Sequence, residues 1–207
     1  MDIFKDDYSN MITVRMADYK VARGDQKLIT RDLGSCIGIA IRDPRTGIGG
    51  LLHAMLPTTL IKKDLPPEQF PKYVDTGLDV MLREMEKLGA NRRYMEAKMA
   101  GAAHIIQYQS VSPTRDISSR NIQMAVEYLE KHKIKIISME VGDRYPRTVI
   151  FEPGSGKTVI KTFGKQDRHE DIPDVASWVV PHSVGPRFPG LLLIRTRCPD
   201  TSPNSSL

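Results

Sequence analysis

Gly34-Ser35-Cys36-Ile37-Gly38-Ile39-Ala40-Ile41-Arg42-Asp43-Pro44-Arg45-Thr46-Gly47-Ile48-Gly49-Gly50-Leu51-Leu52-His53 sets two apolar runs on either side of a Pro/Gly turn. A cysteine opens the first run and a histidine closes the second. Both runs read as β-strands: Ile37, Ile39 and Ile41 alternate with small residues, and Leu52, Ala54 and Leu56 alternate with Leu51, His53 and Met55. Asp43-Pro44-Arg45-Thr46-Gly47 supplies the reversal, proline fixing φ and glycine tolerating positive φ. A hairpin closed symmetrically about Pro44 and Arg45 pairs Cys36 with His53 on one face, β-carbons about 5 Å apart. A one-residue slip, or a bulge at Gly49-Gly50, would send one of them to the other face.

The isoleucine face, with Leu52, Ala54 and Leu56, is the one expected to enter a core. Cys36 shares its face with Gly38 and Ala40, small residues that leave room above a thiol. A free thiol has a pKa of about 8.5, but a neighbouring imidazole can take its proton and leave a thiolate-imidazolium pair that attacks acyl carbons. The plainer reading is a packing cysteine and a structural histidine, since free cysteine is among the most buried residue types. The register that makes the two neighbours is what favours chemistry.

The chain has 207 residues, enough for one well-filled core of about 150 residues and an appendage. Its two cysteines, Cys36 and Cys198, lie far apart and no CxxC spacing occurs, so neither a disulfide framework nor a zinc site is indicated. No apolar leader opens the sequence and no apolar run approaches the roughly 20 residues that cross a bilayer, so a cytoplasmic protein without membrane insertion is expected. The formal net charge of +5 suits an anionic partner. Nucleic acid is not indicated, because the basic residues fall in short scattered groups such as Lys62-Lys63 and Arg92-Arg93, and aromatics are few.

Outward from the hairpin, residues 11–21 alternate as an early strand, and residues 28–33 form another that leads into Cys36. Val74, Leu78, Met81, Leu82, Met85 and Leu88 recur at helical spacing before Gly89, which predicts a helix over residues 73–88. Residues 95–99 read as a strand running into Gly101. Asp116 or Ser118 caps a second helix carrying Ile122, Ala125, Val126 and Leu129, and residues 134–139 follow as a strand. Residues 148–151 and 158–163 flank Glu152-Pro153-Gly154-Ser155-Gly156 as a second hairpin. The fold class expected is α/β, with mixed, mainly antiparallel sheets packed with two main helices in a single-domain sandwich. Residues 1–163 are expected to form that domain. Residues 164–207, which hold Cys198 and many prolines and serines, read as a tail.

Three tempting motifs fail. Gly154-Ser155-Gly156-Lys157-Thr158 ends like a phosphate-binding loop, but Phe151 stands where glycine is required and Val159 to Phe163 is strand-like where a helix is needed. Gly34-Ser35-Cys36-Ile37-Gly38 matches a nucleophile elbow in spacing, yet an elbow leads into a helix and this run leads into a strand. Cys36, His53 and His104 lack the paired spacing of a metal site, so packing is the better account and no cofactor is called for.

The segment over residues 30–57, with Leu33-Gly34-Ser35-Cys36 and Gly49-Gly50-Leu51-Leu52-His53-Ala54-Met55-Leu56-Pro57, resembles the CheD family of chemoreceptor glutamine deamidases. Lys98-Met99-Ala100-Gly101-Ala102 resembles that family's Lys-x-Phe-Gly-Gly-Ala segment, and Arg120-Asn121-Ile122 its helix start. Residues 140–151 resemble its Asp-Leu-Gly-Gly stretch and final hairpin. Three positions depart. Ala102 replaces the second glycine, Asp143 follows Gly142 where another glycine is expected, and Pro146-Arg147 stands for Gly-Arg.

The resemblance implies hydrolysis of glutamine side-chain amides on methyl-accepting chemotaxis receptors, with a CheC-type phosphatase as a partner in some organisms. It implies Cys36 as nucleophile, His53 as base and Thr30 as third member, a hydroxyl that fixes the imidazole tautomer. Spacing alone does not select Thr30 over Asp32 or Asp43. Gly34 and Ser35, compact residues in front of the Cys36 amide, are the candidate oxyanion segment. Two other readings stand beside this one: a non-catalytic chemotaxis adaptor, and a cysteine hydrolase of another amide or a methyl ester.

Overall fold

Strand-forming alternation in the first third of the chain, followed by two amphipathic helices, folds into two sheets and one helical layer. The computed structural model describes residues 8, 10–59, 64–104, 116–162 and 170–171, all within one unit spanning Met1–Pro173. The strands are β1 (Ile12–Thr13), β2 (Asp18–Arg23), β3 (Leu28–Leu33), β4 (Ile37–Asp43), β5 (Ile48–Ala54), β6 (Glu96–Gly101), β7 (Lys135–Val141), β8 (Arg147–Phe151), β9 (Thr158–Thr162) and β10 (Glu170–Asp171). The helices are α1 (Val74–Lys87) and α2 (Ile117–Lys131). One sheet has the order β1-β3-β8-β9-β10 and the other β2-β5-β4-β6-β7. Among the described strands, β1 with β3 and β6 with β7 run parallel and the other strand pairs antiparallel. The α/β class with mixed, mainly antiparallel sheets and two main helices is what the chain adopts.

The alternation in β4 and β5 explains the layering. Ile37, Ile39, Ile41 and Leu52 are fully buried on the side where α1 and α2 pack, and α1 meets them with Leu78, Met81, Leu82 and Met85. The opposite face, with Ala22, Ala40, Leu51 and Ala100, packs on Leu28, Leu33, Val149, Phe151 and Ile160 of the other sheet. The sheet β2-β5-β4-β6-β7 is therefore the middle layer. Its central strands β4, β5 and β6 are buried along nearly their whole length, on both faces.

Several local expectations change. The early strand is two strands in different sheets, β1 and β2, parted by Ala17 at φ +56. No bulge forms at Gly49-Gly50, and β5 pairs in unbroken register with both neighbours. The glycines serve close approach. A Cβ at Gly49 would lie 2.7 Å from the Ile41 carbonyl and 3.1 Å from the Phe151 ring, and one at Gly50 would lie 2.7 Å from the Met81 sulfur. Small residues beside Cys36 do not leave open space either. A Cβ at Gly38 would sit 2.8 Å from Leu33 Cδ1, so the gap is filled by the facing sheet. The strand β9 after Lys157 leaves no helix N-terminus for a phosphate. The expected tail and Cys198 lie outside the described residues, save that Glu170–Asp171 adds a short edge strand to β9.

Candidate active site

The first hairpin closes differently from the symmetric expectation. Its loop has four residues, Pro44 to Gly47, because the Asp43 carbonyl accepts from the amides of both Thr46 and Gly47, at 3.3 and 3.0 Å. The Asp43 carboxylate also accepts from the Arg45 amide, and Gly47 takes φ +66. Asp43 then faces Ile48, and the register runs through Gly38 opposite His53 to Ile37 opposite Ala54. Cys36 therefore does not face His53. It stands two residues beyond the partner of His53, in the bend that precedes β4. A shift of two residues preserves the face in a pleated strand, so both still belong to the side turned toward the other sheet.

His53 is 2 % exposed, and its Nδ1 lies 2.7 Å from Oγ1 of Thr30, a fully buried residue of β3. The bond crosses from one sheet to the other. The two aspartates that spacing left open are placed elsewhere. Asp43 binds the Arg45 and Asn91 amides at the far end of the hairpin, and Asp32 is exposed. The other ring nitrogen of His53, Nε2, is buried and has no hydrogen-bond partner among the described residues. Burial holds the His53 pKa down at about 4, against an upward pull from the Asp32 carboxylate. Burial also raises the Cys36 thiol above its usual value, opposed by a hydrogen bond from its own backbone. Both shifts favour the neutral forms near pH 7, thiol and imidazole, rather than a standing thiolate-imidazolium pair.

The loop before Cys36 is pinned through its carbonyls. Gly34 O accepts from the Ala103 amide at 2.7 Å and Cys36 O from the Ala102 amide at 2.6 Å. Ser35 O accepts from the side chain of Asn121 in α2 at 3.0 Å. No backbone carbonyl takes the amides of Ser35 or Cys36 among the described residues. Cys36 itself is a free, half-buried cysteine at the rim of the interface between the sheets.

A family model described as CheD chemotactic sensory transduction matches residues 55–162, just over half of the chain. A probable chemoreceptor glutamine deamidase CheD from Syntrophomonas wolfei is 42% identical over 160 residues, covering 77% of this chain and 98% of that protein. The chain belongs to the CheD family. A probable CheD of the same description from Desulfitobacterium hafniense is 35% identical over 160 residues, 77% of this chain and 98% of its own. One from Clostridium tetani is 40% identical over 152 residues, 73% and 90% respectively. Among solved structures, a hypothetical protein YfiH of Bacillus licheniformis overlaps 61% of this chain and 51% of its own, at 13% identity and a TM-score of 0.37.

Membership explains the turns that hold the Cys36 loop. Gly101 and Ala102 take φ +98 and +49, and Gly142 and Asp143 take φ +79 and +63. Both departures from the CheD glycine pairs thus fall on left-handed residues, where glycine is the undemanding choice. Arg147, 1 % exposed, clamps the two turns by donating to Gly142 O at 2.7 Å and to Glu140 at 3.2 Å, with a long contact to Gly101 O. Sequence reasoning did not assign a role to Arg147 or Asn121. An arginine or asparagine carries no periodic signal, and only tertiary placement shows what its donors reach.

Proposed function

We propose that this protein is a chemoreceptor glutamine deamidase, converting selected receptor glutamine side chains to glutamate and ammonia with Cys36, His53 and Thr30. The observation that carries the reading is the Thr30 to His53 bond, which orients the ring and leaves a buried Nε2 without a hydrogen-bond partner among the described residues, on a strand whose register puts Cys36 two residues from the partner of His53. The names of the relatives supply the substrate class. With Nδ1–H donating to Thr30, Nε2 is the basic nitrogen.

In this mechanism Nε2 takes the thiol proton as Cys36 Sγ bonds to the amide carbon, and the carbonyl electrons move onto oxygen. The Ser35 and Cys36 amides, next to Gly34, are the donors for that oxyanion. The imidazolium returns its proton to the departing nitrogen as the C–N bond breaks, releasing ammonia and leaving a thioester. Water then attacks while Nε2 accepts its proton, and collapse of the second tetrahedral species expels the Cys36 sulfur, which regains the proton. Neutral resting partners suit this cycle, since each proton moves only as charge develops. No described helix is long and apolar enough to cross a membrane. We place the reaction in the cytoplasm, on the cytoplasmic part of the receptors. A CheC-type phosphatase as binding partner follows from the resemblance.

Incubation with a receptor cytoplasmic fragment, followed by ammonia release and the amide-to-acid mass change, tests the reading. Wild type is expected to deamidate and Cys36→Ala to be inactive while still binding the fragment. Equal activity in Cys36→Ala removes the mechanism, and binding without any deamidation by wild type leaves an adaptor. Peptides carrying methyl-glutamate in place of glutamine separate amidase from esterase action.

A further inference from the structure

Asn121 lies in the first half of α2 with no exposed surface, and the mechanism above does not use it. Its side-chain nitrogen donates to two backbone carbonyls, Ser35 O and Met55 O, each at 3.0 Å. Two facing oxygens require the nitrogen in that position, which fixes the amide orientation. The amide oxygen is buried with no partner among the described residues, a cost the site tolerates to keep the two donors in place.

The two acceptors flank the reacting pair. Ser35 precedes Cys36, and Met55 follows His53 by two residues. The ladder between β4 and β5 ends at Ile37 opposite Ala54, so no strand pairing fixes Cys36 relative to the end of β5. Asn121 spans that gap from the helical layer. The same end of α2 holds the loop a second way, since Ser118 Oγ donates to Ala103 O at 3.0 Å and the Ala103 amide donates to Gly34 O. We propose that Asn121 is the positioning residue that sets the spacing of Cys36 from His53 by tying Ser35 to Met55. The inference rests on the Cys36-His53 reading and adds the element that regulates its geometry.

A double-mutant cycle on Cys36 alkylation tests it. Full-length wild type, His53→Ala, Asn121→Asp and the double variant are treated with iodoacetamide near neutral pH. The Cys36 peptide is followed by mass, so that Cys198 does not contribute. Asn121→Asp keeps the shape and removes both donors, and Asn121→Ser reads the same cycle in a neutral, smaller form should the aspartate variant not fold. His53→Ala is expected to slow alkylation about tenfold or more in the wild-type background, a modest share of what a positioned base supplies. In either Asn121 background the same change is expected to matter by less than about twofold, the non-additivity of residues acting as a unit. An equal His53→Ala effect in both backgrounds overturns the inference, whatever the melting temperatures, because a purely structural role lowers stability without uncoupling the pair. A wild-type background indifferent to His53→Ala instead defeats the underlying pair, and this inference with it.

Discussion

Thr30 and His53 are side chains of different sheets, and their hydrogen bond is the point where a local reading becomes a tertiary one. Thr30→Val keeps the shape and deletes the oxygen, leaving buried Nδ1 unpaired. An unmade buried hydrogen bond costs about 1–3 kcal/mol, which as lost orientation is about 5- to 150-fold in rate. Deamidation kinetics on a receptor fragment should show that loss mainly in kcat, with the fold intact by circular dichroism. Burial makes a second prediction. The folded imidazole titrates near 4, below an unfolded value of about 6.5, so between those limits the unfolded chain binds more protons and stability falls as pH falls. Two and a half pKa units correspond to on the order of 3 kcal/mol, present in full above about pH 6.5. Urea denaturation from pH 7 to pH 4 should show a slope that is reduced in His53→Gln. At this scale the cysteine and histidine were legible from their strands, while the threonine needed the family resemblance. Hydroxyl, Asp32 and Asp43 were equivalent until the second sheet was in place.

For single elements, the sequence described periodicity well and loop closure poorly. Residues 28–33 and the helix ending before Gly89 fall where alternation and capping put them, and Asp116 caps α2 by accepting from the Ser118 and Ser119 amides. The hairpin strands were recognisable, but their register depended on how the Asp43 carboxylate and carbonyl organise the turn, a choice between loops of two and four residues that composition leaves open. The error was an even number of residues, so the face survived while the direct pairing did not. The Gly101-Ala102 turn carries its own expectation. A left-handed alanine costs about 1–2 kcal/mol, part of which Ala102→Gly recovers after the added freedom of the unfolded chain is subtracted. The substitution should raise stability by up to about 1 kcal/mol in urea titrations. An unchanged or lower midpoint would show that the buried Ala102 methyl group, lost in the glycine, contributes as much as the strain costs.

Across the whole molecule, the middle sheet is the structural reference for everything else. Helices press one side and the second sheet the other, and Gly49 sits where the approach of the second sheet leaves no room for a methyl group. Gly49→Ala should destabilise by about 1–3 kcal/mol, the usual cost of overpacking. Because Thr30 belongs to the displaced sheet, it should also weaken deamidation although its site is four residues from His53. Calorimetry beside the ammonia assay checks both. A sandwich of sheets and helices was legible from residue types, but double coverage of the middle sheet was not, since small residues on the Cys36 face read as open space where the second sheet packs. Which sheet supplied each part of the site was not, because strand order depends on pairings distant in sequence.

A ring nitrogen aimed by a hydroxyl from the opposite layer has a biological corollary. On the proposed mechanism, a chain emerging from the ribosome, or one partly melted, carries its thiol and imidazole but no means of aiming them, so immature copies stay chemically idle. Competence arrives only with docking of the two layers, which ties irreversible editing of other proteins to completion of this one's own assembly.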